Sequence, residues 1–302
     1  MKQIGELHKI ICAHAFEKIN AHIHTYLCDG KPEMTVQNIS TRARETGISL
    51  AILTPHFHKQ VSDETATLYK DTDEQILLQL REEIDEYHKN SDGKVRFLLS
   101  AEADILTIEG ETSLKISKAV EDALDLVTPT INYHPLLPLR AVEVTMSKTI
   151  EEFYKSGLYE AYSKQIGGIP KVLETLYEAE ANAILKSKYP TMLGHFFAAH
   201  SYAVGKYSWF GAREEDLECM KAGAKKIIDA CVKTGAMIDL TGIQQKGLTQ
   251  EEKEEKDGFF AVFQRWFISE CEKANVVICP GSDSHSLGSI GNVTYYRRLK
   301  RD

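Results

Sequence analysis

A paired-cysteine framework is missing from this sequence. The six cysteines, at positions 12, 28, 219, 231, 271 and 279, include no Cys-x-x-Cys pair, so free thiols in a reducing cytosol are expected rather than disulfides. Long hydrophobic runs are missing too. Stretches such as Ile48–Leu53 and Val276–Cys279 are far short of the roughly 20 apolar residues a membrane helix needs. Glu6, His8 and Lys9 interrupt the first apolar residues, so no leader core is read there and a cytoplasmic protein is expected. A basic excess is also lacking. With 36 Lys and Arg against 44 Asp and Glu, the formal charge is −8, which argues against a general nucleic-acid binder. Anionic substrates stay open if metal ions supply positive charge locally. No internal repeat, no low-complexity tract and no Pro- or Ser-rich linker appears.

What remains is ordinary globular material: 302 residues, 43% hydrophobic and 26% charged, enough for one large core or two modest ones. Short apolar runs at Ile48–Leu53, Val95–Leu99, Leu124–Val127, Met192–Leu193, Ala236–Asp239 and Val276–Cys279 read as buried strands. Amphipathic spacing predicts helices over Val36–Thr46, Thr72–His88, Ser113–Ala123, Ile150–Ser187, Glu214–Thr234 and Ala261–Ala274, with the long fourth one breaking at Gly167–Pro170. Helices repeatedly turn straight into strands, as in ARETGISLAIL, ACVKTGAMIDL and ECEKANVVICP. That repetition suggests parallel strands joined by crossover helices, and so an α/β barrel. One domain over residues 1–302 is expected, with a helical extension at 1–17 and a helical insertion around 140–190. The polar run Thr249–Asp257 marks a helix start or a loop, and whether residues 244–258 form a lid is left open.

Residues of metal-ligand type recur at the strand ends. His22 and His24 are two apart, so in a strand they point to the same side, and Asp29 follows closely. His56, Glu102, His134 and His195 each come after an apolar run, and Asp283 and His285 close the last one. Parallel barrels gather the residues beyond their strand C-termini on one face, where such enzymes place their active sites. One such residue means little, but six strands ending in His, Asp or Glu indicate a site for two or three metal ions. Mixed His and carboxylate ligation without Cys suits Zn, Mn or Fe.

These residues resemble the PHP superfamily, named for polymerase and histidinol phosphatase, over residues 18–290. The motif D-x-H-x-H-T…S-D-G appears as Asn20-Ala21-His22-Ile23-His24-Thr25 and Cys28-Asp29-Gly30. Thr54-Pro55-His56, Ser100-Ala101-Glu102, the isolated His134 and His195, and Gly281-Ser282-Asp283-Ser284-His285 follow in order. The resemblance implies a distorted (β/α)7 TIM-like barrel with its active site at the strand C-termini and, usually, three metals. It implies nine ligands: His22, His24, Asp29, His56, Glu102, His134, His195, Asp283 and His285. Tyr189–Pro190, Leu193-Gly194-His195-Phe196 and Lys206-Tyr207 look like the histidinol-phosphatase branch, although Phe197 stands where that branch often has Asp. Thr54-Pro55-His56 resembles bacterial PHP tyrosine phosphatases instead, but those lack a histidine at the position of His134. Asn20 and Pro55 replace residues that are acidic in the family, which bears on the substrate more than on the metals.

The implied activity is hydrolysis of a small phosphomonoester, histidinol phosphate-like, by metal-activated hydroxide. Such esters resist water so strongly that catalysis must supply much of about 20 kcal/mol. His22, His24, Glu102 and Asp283 would hold one ion, and Glu102 would bridge to a second held with His134. Asp29, His56, His195 and His285 would complete the coordination. Glu102, Asp283 and His285 are the candidate catalytic groups, with a proton for the leaving alkoxide coming from the Asp283/His285 region or a metal-bound water. His58, His200, Lys206 and Arg213 are candidate substrate contacts. A phosphodiesterase or nuclease, a phosphotyrosine-protein phosphatase and a non-catalytic metal binder are the competing readings. His8, His14 and His88 read as surface side chains on helices, and the cysteines as small core residues. Oligomeric state is unassigned.

Overall fold

In a strand buried on both faces, alternate side chains enter opposite layers, and the short apolar runs of this chain do so around a ring. The computed structural model describes residues 2–57, 73–131, 164–165, 167–196, 214–241 and 250–292, with 250–261 described by backbone alone. Its strands are β1 (Ile19–Ile23), β2 (Leu50–Leu53), β3 (Arg96–Leu99), β4 (Glu102–Asp104), β5 (Thr128–Thr130), β6 (Met192–Leu193), β7 (Met237–Asp239), β8 (Ile278–Cys279) and β9 (Gly281–Ser284). They pair in parallel in the orders β3-β2-β1-β9, β4-β5 and β6-β7-β8.

Backbone hydrogen bonds carry the ring across the breaks between these sheets. The Asp125 N–H donates to the Leu99 carbonyl at 2.8 Å, Val127 to Pro190 at 2.9 Å, and Ala21 to Pro280 at 2.8 Å. β3 and β4 are successive parts of one strand path. So are β8 and β9, separated by Pro280, which has no N–H to continue a ladder. Among the described residues, seven strand paths thus follow one another around a distorted parallel barrel with crossover helices, the α/β architecture expected from the sequence.

The interior is filled from several strands at once. Ala21, Leu50, Ile52, Leu98, Leu126, Met192, Met237 and Cys279 pack together with Leu7, Ile10 and Ile11 of α1 (Ile4–Cys12), which seals the end opposite the histidines. The alternate residues face outward. Ala51, Leu53, Phe97 and Leu99 meet α2 (Val36–Thr46), α3 (Gln75–Asn90) and α4 (Lys118–Ala123). Leu193, Ile238 and Ile278 meet α5 (Ile169–Lys186), α6 (Leu217–Thr234) and α7 (Gln250–Lys273).

β1 breaks this alternation where it matters most. Its register slips between Asn20 and Ile23 against β2, and between Ala21 and Ile23 against β9, with His22 at φ 60°. Ala21 belongs to the interior cluster, yet Ile23 belongs to the outer one. A bulge inserts one residue and reverses the side-chain parity that follows it. His22 and His24 therefore turn into the barrel mouth instead of into the helix layer.

Helix ends differ from the periodicity for local reasons. α4 begins at Lys118, not Ser113, because Ser117 caps it by accepting from the Val120 N–H at 3.4 Å, while Ser113 accepts from the Asp104 N–H at 2.9 Å. α5 begins at Ile169 with Pro170 in its first turn, after Gly167 and Gly168 at φ 111° and 85°, so the expected break holds. Residues 150–163 lie outside the described residues. α3 runs Gln75–Asn90 and α7 starts at Gln250, so residues 250–258 are helix and 244–249 lie outside the described residues. Of the remote histidines, His88 is exposed as expected, whereas His8 and His14 are half-buried. Their rings brace the scaffold: His8 reaches the Gly235 carbonyl at 2.8 Å, His14 the Ser49 hydroxyl at 2.7 Å, and His88 accepts from the Phe97 N–H at 3.1 Å. Cys231, Cys271 and Cys279 are buried as expected, but Cys12 is exposed and Cys28 and Cys219 are half-buried. No helix among the described residues is long and apolar enough to cross a membrane.

Glu180 of α5 is a cost built into this packing. It is 1% exposed, and its Oε2 has no hydrogen-bond partner among the described residues. Burial pushes its carboxyl well above the ordinary range. The folded chain then holds a proton that the unfolded chain loses near pH 4.3, so stability falls as pH rises from there toward the folded-state value. Glu180→Gln should raise the urea midpoint over the parent at pH 8 and change it little at pH 4.5. Equal midpoints at pH 8 would contradict a carboxyl kept protonated by burial.

Candidate metal centre

The described candidate ligands lie near a strand C-terminus or in the loop just past it, with Glu102 opening β4 directly after β3 ends. The β1 bulge supplies His22 and His24, and the next loop supplies Asp29. His56 follows β2 and forms a parallel bridge with Glu102, the first residue of β4. His195 follows β6, while Asp283 sits in β9 and His285 just beyond it. Glu102 is the hub. Its Oε2 lies 3.2 Å from His22 Nε2, 3.0 Å from His56 Nδ1 and 3.5 Å from His24 Nε2. Its Oε1 lies 3.1 Å from His195 Nε2 and accepts from the Thr130 hydroxyl at 3.1 Å. Asp283 Oδ1 is 3.0 Å from His24 Nε2, and Asp29 lies 2.9–3.2 Å from His24, His56 and His285.

Three groups have the geometry to hold a metal ion: His24 with Asp29, His56 and His285; His22 with His24 and Asp283; and His22 with Glu102 and His195. The ring of His22 shows that the donors fit a cation. Its Nδ1 lies 2.9 Å from Asp239 Oδ2, and that acceptor calls for a proton on Nδ1. A neutral ring would then turn its Nε2 lone pair toward the oxygens of Glu102 and Asp283, at 3.2 and 3.8 Å. Lone pair against carboxylate is repulsive unless a positive charge lies between them.

The charges around these rings make the same demand. Burial would lower His22, but the Glu102 charge and the bonds to Asp239 and Glu102 outweigh it and hold the ring at about 9. His56 is likewise held at about 10 against its own burial, by Glu102 and Asp29. His24 is raised well above its ordinary value by Asp283 and Asp29, again against burial. Burial opposes ionisation of Glu102, Asp29 and Asp283 as well, yet the surrounding histidines hold all three carboxyls below their ordinary range.

The floor and the rim of the cluster differ. The side chains of His22, His24 and Glu102 are at most 1% exposed, whereas Asp283, His285 and Asp29 are 30, 37 and 45% exposed. Among the described residues, the open side of these groups is therefore that of Asp29, His285 and Asp283. Backbone strain gathers here too. His22, His195 and Asp283 have φ of 60°, 27° and 47°, a region that side-chain-bearing residues seldom adopt unless the surroundings impose it.

No protein-family profile matches the chain, and no curated protein matches it. Solved structures do. A histidinol phosphate phosphatase from Lactococcus lactis, determined with zinc, L-histidinol and phosphate, is 13% identical with a TM-score of 0.57, over 95% of this chain and 94% of that one. A Listeria monocytogenes structure assigned as the histidinol phosphatase HisK is 14% identical with a TM-score of 0.56, over 91% of this chain and 97% of that one. The fold is that of the PHP-type histidinol phosphatases. Fold does not carry a substrate with it.

Within this PHP-type barrel, eight of the nine expected ligands are described and converge, while His134 lies outside the described residues. The expected substrate contacts His58, His200, Lys206 and Arg213 also lie outside them. Cys28 is the one cysteine beside the cluster among the described residues, with its Sγ 3.9 Å from His24 Nδ1. Sequence reasoning missed Asp239, Thr130 and Thr241. Asp239 could have been found, because it ends the apolar run Ala236–Asp239 as the other carboxylates end theirs. The threonines carry no such signal.

Gly281 of β9 shows how tightly this wall is built. Any Cβ there would overlap the Asp239 carboxylate and the Thr241 hydroxyl, whereas one on Gly288 meets nothing within 4 Å. Gly281→Ala should cost about 1–3 kcal/mol and lower the thermal midpoint by roughly 2–4 °C per kcal/mol. Gly288→Ala should leave the midpoint in place. Equal midpoints for the two variants would contradict the packing.

Proposed function

We propose that this chain is a metal-dependent phosphatase acting on a small phosphomonoester of the histidinol-phosphate type. The observation that carries this reading is the division of labour within Glu102. One oxygen faces His195 and the other faces His22, His24 and His56, the posture of a carboxylate that serves two ions. In this reading His22, His24 and Asp283 would hold one ion, Glu102 and His195 with His22 a second, and Asp29, His56 and His285 with His24 a third at the rim. Divalent ions in these places supply positive charge to a phosphate dianion and activate water for in-line attack.

The chain's own groups do the rest. Thr130 fixes the Glu102 oxygen that faces His195. The buried floor keeps water away from one side of the cluster, so a phosphate enters over Asp29, His285 and Asp283. The exposed Asp283/His285 region is where a leaving alkoxide would take up its proton, from water admitted there rather than from Asp283 itself, whose carboxyl is held ionised. Zinc, manganese and iron all suit the donor set. A net charge of −8 favours a compact anion drawn in by local metal charge over a polyanion, which needs a broad basic face.

Metal analysis and phosphate release should be measured on the same preparation, over histidinol phosphate, other small monoesters, phosphotyrosine peptides and a model diester. Two to three equivalents of Zn, Mn or Fe and preferred release from a small monoester are expected. Glu102→Gln keeps the size and removes the charge, so it should cut both metal retention and release by more than about 100-fold, since even a group that only orients a ligand is worth 10–100-fold. A chain that holds no metal after reconstitution would contradict the metal role, and release from the diester or peptide alone would contradict the substrate class.

A further inference from the structure

We propose that Asp239 is a positioning residue that presets the tautomer and orientation of His22 and locks it to His195. The proposal rests on the metal role given above to those histidines. Asp239 ends β7, is fully buried and belongs to none of the three groups that could hold an ion. Its carboxylate instead collects donors from other parts of the wall. Oδ2 takes His22 Nδ1 at 2.9 Å and the His195 backbone N–H at 3.1 Å. The Thr241 hydroxyl lies 2.7 and 2.8 Å from its two oxygens. β9 contributes Gly281, whose missing side chain leaves the space that the Asp239 carboxylate and the Thr241 hydroxyl fill.

Two consequences follow from this geometry. With the His22 proton held on Nδ1, Nε2 is the lone-pair face turned to Glu102 and Asp283, so the ring is ready to ligate without choosing between tautomers. A carboxylate behind a ligating imidazole also raises its basicity. Moreover, the two groups bound to Asp239 Oδ2 belong to His22 and His195, two of the residues at positive φ. Strained backbone persists only where its surroundings over-determine it, and one buried carboxylate restrains both. The carboxylate thereby sets the spacing between the β1 and β6 sides of the Glu102 site.

The test uses the full chain as purified and reconstituted with zinc, comparing the parent with Asp239→Asn and Thr241→Val. Zinc affinity is read by chelator competition, and the hydrogen bond of the His22 Nδ1–H by its imidazole 15N and 1H shifts in the zinc-loaded protein. Asp239→Asn should weaken zinc by about 10–100-fold and move the His22 Nδ1–H resonances to those of a more weakly hydrogen-bonded proton. Thr241→Val leaves the carboxylate but frees one side of it, so it should shift zinc affinity in the same direction by less. Unchanged zinc affinity and unchanged 15N shifts in Asp239→Asn would overturn the proposal. If that variant does not fold, unchanged affinity in Thr241→Val overturns it instead. A parent that binds no zinc, manganese or iron overturns the metal reading itself, an outcome distinct from a parent that binds normally alongside indifferent variants.

Discussion

The carboxylate of Glu102 lies in the buried floor of the barrel mouth with imidazoles of four histidines around it. Taking an ionised carboxylate out of water is expensive unless opposite charge and hydrogen bonds replace the lost solvent. Much of the site can be read as that replacement. His22 and His56 are held at about 9 and 10 in the chain alone, Thr130 donates to one oxygen, and Asp29 and Asp283 balance the outer histidines. The same convergence that draws protons onto the imidazoles is what a divalent cation would satisfy better, because one ion can replace several shared protons at once.

Placing so many polar groups in one spot conflicts with the alternation of a barrel strand, and the fold resolves the conflict in β1. A regular strand that puts Ala21 in the barrel interior would also put Ile23 there and send His22 and His24 into the helix layer. The bulge at His22 reverses that parity. Below it the strand fills the barrel with Ile19 and Ala21, and above it the strand points ligands into the mouth. Positive φ at His22, His195 and Asp283 marks where the backbone bends to the site, and Asp239 holds two of those three residues. Strength of packing elsewhere, such as α1 against the interior cluster, is what allows the mouth to carry this strain.

The parallel barrel and the gathering of eight candidate ligands at its mouth were legible because both rest on local patterns. Apolar runs of two to six residues, preceded by helices and followed by His, Glu or Asp, leave few alternatives to a barrel with its chemistry at one end. Other features were not legible because they depend on contacts distant in sequence. The bulge parity is set by β2 and β9, the start of α4 by a capping competition between Ser113 and Ser117, and the bracing of His8, His14 and His88 by groups on other elements. Asp239 is an intermediate case. Its position at a strand end was visible, but its role depends on His22, 217 residues away. The resemblance to PHP enzymes agreed with the fold, whereas the substrate contacts expected from it fall on residues outside those described.

The most direct measurement of the central claim is anomalous diffraction from zinc-loaded crystals, collected on both sides of the zinc edge. Peaks flanking the two oxygens of Glu102, at a separation of roughly 3.5–4 Å, with His22, His24 and Asp283 around one and His195 beside the other, are expected. An absence of anomalous peaks among these residues, or zinc confined to surface side chains, would contradict it.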